Sequence, residues 1–248
     1  MNTNRHTSGR SSREAFTLVE LLVVISIIAL LVAITLPSLG RARQLAFRSG
    51  CANNLREISR AALAYANEGR MNRGKPGSLP TTNVTSIGDF STDGGNTAGL
   101  WLLVQHTFVN RKVFLCPEGE LRQGQQVSTN DASDANFGES KYTSYGYISM
   151  RNATLREQTT ITELGAATVI VADRNPRWTS GDALSSSVGD DVNSKNHSGE
   201  GQNMAVIGGS VNWSDKPVKD GDAIYVSGDS GASTISARAT LNDNLIVP

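Results

Sequence analysis

The sequence has little of the material from which metal, redox and catalytic sites are made. Its 248 residues include two cysteines and three histidines, and no Cys or His spacing matches a structural zinc site. No G-x-S-x-G elbow of a hydrolase is present, and no Walker or G-x-G-x-x-G loop follows a predicted strand. The 23 basic residues balance 23 acidic ones, so no net charge favours nucleic acid. These absences argue against an enzyme and against a nucleic-acid-binding protein.

One long apolar run stands out from this polar composition. From Phe16 to Leu36 almost every residue is Leu, Val, Ile or Ala, and the only charge is Glu20. A helix of about 20 apolar residues spans the hydrocarbon core of a bilayer. We therefore predict a transmembrane helix over residues 16–37. The preceding leader, residues 1–15, carries three arginines and favours a cytoplasmic N-terminus, with the rest of the chain across the membrane.

The junction between leader and apolar run resembles the N-terminal signal of type IV prepilins and type II secretion pseudopilins. The matching residues run from Ala15 to Ile25, AFTLVELLVVI. In that family a prepilin peptidase cuts before the phenylalanine and methylates the new terminus, which implies cleavage between Ala15 and Phe16. Ala15 replaces the family's usual glycine. The resemblance also implies a helix kink at Pro37 and assembly through Glu20.

The free-energy cost of a carboxylate in the membrane gives a second way to interpret Glu20, independent of this resemblance. A carboxylate within an apolar membrane segment costs on the order of 2.5–3.5 kcal/mol. A residue close to the interface avoids this cost by snorkelling or by taking up a proton. The family context favours a second solution, in which Glu20 pairs with the free amine of Phe16 on a neighbouring subunit and fixes one assembly register.

Helical periodicity continues beyond Pro37. Apolar residues recur at helical spacing, with Arg and Glu between them: Leu45, Leu55, Ile58, Ala62 and Tyr65. We predict one continuous helix of about fifty residues, whose amphipathic second part covers residues 38–67. Its apolar stripe is expected to pack against the sheet of the head.

Residues 68–248 are predicted to form an extracytoplasmic globular head. The patterns predict a helix over residues 98–109, strands over 112–116, 142–150 and 168–172, and a hairpin over 203–213 with a two-residue turn at Gly208 and Gly209. The predicted fold class is α+β, with a long kinked N-terminal helix on a small antiparallel sheet, as the resemblance to pilins implies.

The C-terminal part of the head resembles the H-x9-DG region of pilin-like proteins from planctomycete-type bacteria. The residues that carry this resemblance are His197 with its neighbours, the hairpin and Trp213. The spacing from His197 to the turn is one residue longer than in that group, and Gly208 stands where Asp is usual. We interpret His197, Gly208 and Gly209 as markers of the fold.

Two features of the head leave alternatives open. Cys51 and Cys116 are compatible with one disulfide or with two buried thiols. Asp220 and Asp222 are weak candidates for a calcium site, although solvated turns are the favoured reading of such late-loop carboxylates. No other cofactor is expected.

Together these features predict a structural subunit of a type IV pilus-like filament or a type II secretion pseudopilus. The implied partners are the membrane, the prepilin peptidase and methyltransferase, copies of the chain, other pilin-like subunits and the assembly machinery. The implied location is the inner membrane, followed by a periplasmic or cell-surface filament. The alternative is a single-pass anchored binding or sensor protein, which would tolerate Glu20→Leu and keep its leader.

Overall fold

The computed structural model describes residues 16–68, 76–82, 84, 89–91, 94–148, 160–176, 178–180, 183–184, 192–219, 222–225 and 246–247. The chain divides into two compact units, Met1–Arg43 and Gln44–Pro248. The predicted leader, with Ala15, lies outside the described residues, and so does Asp220.

A single helix, α1, runs from Leu18 to Glu68 and continues through Pro37. This confirms the predicted continuous helix of about fifty residues. Every residue from Phe16 to Leu36 is exposed, and α1 is long and apolar enough to cross a membrane by its length and composition. The kink at Pro37 and the domain boundaries stay predictions.

The second part of α1 forms one wall of the head's core. It buries a continuous apolar face, made of Cys51, Leu55, Ile58, Ala62 and Tyr65. Ser59 lies on the same face, and its hydroxyl donates to the carbonyl of Val206 at 3.1 Å in the sheet. The predicted packing of the stripe on the sheet is therefore confirmed. Leu45 is the exception, because it is 61% exposed and precedes the buried face along α1.

The head is built on an antiparallel five-stranded sheet. Its strands are β1 (Tyr145–Ile148), β2 (Val169–Asp173), β5 (Gln202–Val206), β6 (Val211–Ser214) and β9 (Ile246–Val247). Their order across the sheet is β6-β5-β2-β1-β9. All residues of β1, β2 and β5 are buried, so the centre of the sheet is covered on both faces. Two small strand pairs accompany it: β3 (Trp178–Ser180) with β4 (Ala183–Leu184), and β7 (Val218–Lys219) with β8 (Asp222–Ala223). The predicted α+β class is confirmed.

The predicted strand over residues 112–116 is wrong. The segment forms a 3₁₀ helix, Arg111–Phe114, followed by a short α-helix, α3 (Pro117–Gln123). The side chain of Asn110 accepts a hydrogen bond from the Lys112 amide and caps the first helix, while Pro117 occupies the first turn of the second. These local capping signals outweigh the β-propensity of the sequence KVFLC.

The structure changes the bounds of one predicted helix and the loop length of the predicted hairpin. The helix predicted over residues 98–109 is α2, Ala98–Gln105. The hairpin of β5 and β6 is present, but its loop has three residues, since the Val206 amide donates to the Ser210 carbonyl at 3.0 Å. Only Gly209 of the glycine pair has a positive φ, 80°, as the last residue of a three-residue loop requires.

The buried face of α1 supplies a direct test of the packing. Leu55→Ala is expected to lower the free energy of unfolding by about 2–5 kcal/mol, because it removes a fully buried side chain and leaves a cavity. Leu45→Ala is the matched control on the same helix, expected to change it by less than about 0.5 kcal/mol. Denaturant unfolding of the full chain in detergent measures both. Equal losses in the two variants would contradict the packing described here.

Candidate functional site

The exposed apolar helix begins with a capping box made by Thr17 and Glu20. The Thr17 amide and hydroxyl both donate to Glu20 Oε2, at 2.9 and 2.7 Å. The Glu20 amide in return donates to Thr17 Oγ1 at 3.2 Å. The pair thus satisfies amide donors that the first turn of a helix leaves without partners. The T-x-x-E spacing in the sequence is the signal of this capping box, in addition to the assembly role that the family resemblance implies for Glu20.

The few hydroxyl groups in the apolar segment are satisfied within α1 itself. Ser26 Oγ donates to the Leu22 carbonyl at 2.8 Å, and Thr35 Oγ1 donates to the Leu31 carbonyl at 3.0 Å. Lipid offers no partner to a hydroxyl, so such internal bonds remove the cost of placing it in hydrocarbon. The segment from Phe16 to Leu36 is therefore compatible with lipid on every side.

A second site lies inside the head, where His197 is held between two carboxylates. His197 ends a 3₁₀ helix, Lys195–His197, and is 2% exposed. Its Nδ1 lies 3.2 Å from Glu118 Oε2, and its Nε2 lies 3.2 Å from Asp173 Oδ2. Each carboxylate can accept a hydrogen bond from the ring nitrogen that it faces, and the doubly protonated imidazolium donates to both. We call His197, Glu118 and Asp173 the buried charge cluster.

The electrostatics of the cluster agree with this geometry. Burial alone would lower the pKa of His197, but the facing carboxylates of Asp173 and Glu118 outweigh it and raise the pKa above its ordinary value of 6.5. The Nδ2 of Asn203 also lies 3.2 Å from Nε2, and it can donate to the ring only when that nitrogen carries no proton.

The two carboxylates have further partners that compensate their burial. Asp173 Oδ2 accepts from the Asn203 amide at 2.6 Å, and Asp173 Oδ1 accepts from Asn196 Nδ2 at 2.9 Å. Glu118 Oε1 accepts from Ser198 Oγ at 3.0 Å. The cluster thus joins α3, the end of β2, the start of β5 and the 3₁₀ helix. Buried charges are tolerated only when paired and hydrogen-bonded in this way.

The surroundings of the cluster tie it to α1. Cys51 of α1 and Cys116, which directly precedes α3, form a disulfide. The two sulfurs and a ring nitrogen of His197 all lie within 4.8 Å of one another. On another side, the Trp213 ring meets the His197 ring edge-on at 5.3 Å, and the guanidinium of Arg48 lies 4.0 Å from the Trp213 ring centre.

This arrangement brings together residues that the sequence did not connect. Glu118 and Asp173 were not predicted as partners of His197, although an acid directly after the apolar run TVIVA is an available signal for Asp173. Gly208 and Gly209 lie in the loop that joins β5 to β6 and take no part in the cluster. Asp222 lies in β8, and the calcium candidates remain untested. Since solvent does not reach His197, the cluster is a structural feature of the head.

The cluster predicts a pH-dependent stability of the disulfide-bonded protein. The pKa of His197 is higher in the folded state than its ordinary 6.5, so its contribution is fully present below about pH 6.5. That contribution is lost as the pH rises through the folded pKa. We expect the free energy of unfolding to fall between pH 6 and pH 8, measured by denaturant titration with tryptophan fluorescence.

His197→Gln separates this cluster from the other titrating groups. At pH 6 it leaves two buried carboxylates without a cation, and we expect a loss of about 3–5 kcal/mol together with the disappearance of the pH 6–8 slope. His106→Gln is the matched control, because His106 is exposed and lies outside the cluster. A slope that survives in His197→Gln would show that another group causes it.

The exposed helix and its capping box fall in the one segment that a family model matches. The family model described as Prokaryotic N-terminal methylation motif matches residues 10–36. No curated protein and no solved structure matches the chain. The likeness of the C-terminal region to planctomycete-type proteins therefore stays a prediction. The motif supports a type IV pilin-like or pseudopilin-like precursor, and together with the apolar helix it indicates membrane anchoring.

Proposed function

We propose that the chain is a structural subunit of a type IV pilus-like or type II secretion pseudopilus filament. The observation that carries this proposal is the coincidence of the methylation motif over residues 10–36 with a helix whose apolar residues are all exposed. A prepilin peptidase would cut between Ala15 and Phe16 and methylate the new terminus. The head would then lie outside the cytoplasm, anchored by α1.

The apolar surface of α1 restricts where the helix can lie before and after assembly. Residues 16–36 are exposed, with Leu18 at 78% and Ile34 at 67%. In the membrane, lipid covers this surface. A subunit that leaves the bilayer for a filament must bury the same surface against its copies, because each buried Å² of apolar area contributes roughly 25 cal/mol. The anchor helices would form the filament core, with the heads outside.

Glu20 would set the register of this assembly. Both capping bonds from Thr17 go to Oε2, and Oε1 accepts no hydrogen bond from the described residues. Cleavage before Phe16 would create an amine, which is the cation that an unpaired carboxylate oxygen in an apolar core requires. Glu20 can therefore cap its own helix through Oε2 and pair with the Phe16 amine of a neighbouring subunit through Oε1.

Two substitutions at Glu20 separate the charge from the cap. Glu20→Gln keeps an acceptor for the capping box but removes the charge, and Glu20→Ala removes both. We expect both variants to yield at least about tenfold less sheared filament and crosslinked oligomer than the wild type, with equal amounts of subunit in the membrane. Thr17→Ala, which removes a capping hydroxyl and leaves the charge, is the control and should retain assembly.

The variants also distinguish the filament subunit from an anchored binding or sensor protein. If Glu20→Gln assembles as well as the wild type, the charge pairing is contradicted. If Glu20→Leu is tolerated and the leader is kept, the filament function is contradicted as a whole.

A further inference from the structure

We propose that reduction of the Cys51–Cys116 disulfide converts the site beside His197 into a binding site for a thiolate-preferring divalent cation, with Zn²⁺ as the best match. The protein ligands would be the two thiolates and one ring nitrogen of His197, which leaves the fourth position of a tetrahedral site open. This inference is independent of the proposed filament function, since it concerns only the interior of the head.

The two sulfurs and one ring nitrogen of His197 lie close enough together for one cation to contact all three after the disulfide opens. Their ligand atoms lie within 4.8 Å of one another, and all three residues are buried. Zinc bonds of about 2.3 Å to sulfur and 2.0–2.1 Å to nitrogen place such ligand atoms roughly 3.5–3.8 Å apart. The Cα atoms of Cys51 and Cys116, 5.2 Å apart, need not separate, because side-chain rotation can open the two sulfurs once the bond is broken.

The carboxylates would orient the metal-binding imidazole. Each ring nitrogen of His197 faces a carboxylate oxygen at 3.2 Å. A cation bound to one ring nitrogen would replace the contact of that nitrogen with its carboxylate. The other carboxylate keeps accepting from the free ring N–H. Metal-bound histidines are commonly oriented by such a partner.

The disulfide decides whether this donor set exists. In the oxidised protein the two sulfurs are joined to each other, so neither is a thiolate that could bind the cation. A dithiol reductant would supply two electrons and two protons by thiol–disulfide exchange, giving two thiols and its own disulfide. Binding of the cation would then release the two thiol protons to solvent, together with any proton on the ring nitrogen that coordinates the cation. Redox state would therefore control metal binding.

The test uses the full chain in detergent, reduced anaerobically with a phosphine and titrated with Co²⁺ as a spectroscopic probe. We expect one equivalent to give tetrahedral visible absorption with a thiolate-to-cobalt charge-transfer band, which one equivalent of Zn²⁺ then abolishes. The oxidised chain should give neither signal. Reduced chain with Zn²⁺ should also melt at a higher temperature than reduced chain with chelator, whereas the oxidised chain should show no shift.

Three variants make the outcome decisive. In the reduced state, Cys51→Ser should abolish the charge-transfer signal expected of two coordinated thiolates. His197→Gln should weaken cobalt binding at least about tenfold. His106→Gln, the control, should bind cobalt as the wild type does. The proposal is overturned if the reduced wild type binds no stoichiometric cobalt, or if His197→Gln binds equally well. It is also overturned if reduction unfolds the head and Zn²⁺ does not restore the fold, as circular dichroism would report.

Discussion

The apolar surface of residues 16–36 is the constraint on which the rest of the chain depends. No part of this segment is buried, so water is an unfavourable environment for it and lipid or another apolar helix is required. The chain meets this requirement with internal hydroxyl bonds and with a capping box that provides Glu20 with partners. The hydroxyl groups of the segment are therefore satisfied in either apolar environment, and among the described residues of the segment Glu20 Oε1 is the polar atom that still requires a partner.

The same helix has a second role once it enters the head. Its residues from Cys51 to Tyr65 pack on the sheet, and Ser59 bonds to the carbonyl of Val206. The Cys51–Cys116 disulfide lies beside the buried charge cluster, in which His197 of the 3₁₀ helix contacts Glu118 of α3 and Asp173 of β2. The Asn203 amide of β5 donates a hydrogen bond to Asp173. These contacts fix the part of α1 from Cys51 to Tyr65 to the rest of the head.

Much of this architecture follows from local sequence patterns. Three segments have a pattern that predicts one type of element, and the structure has that element in each. They are the apolar run, the helical stripe of Leu55, Ile58, Ala62 and Tyr65, and the apolar strand after Thr168. The strand predicted over residues 112–116 was wrong because capping by Asn110 decides a short segment. The buried charge cluster could not be predicted, since His197 lies 79 residues from Glu118 in sequence and only the fold brings them together.

The most direct test of the central claim is the N-terminus of the protein isolated from its native membrane, read by intact mass and N-terminal sequencing. The account predicts a chain that begins at a methylated Phe16 and lacks residues 1–15. A chain that begins at Met1 or Asn2 would contradict it and leave an anchored protein with an unprocessed leader. A cut after Leu36 would also contradict it, because the apolar helix would then be a removable signal peptide.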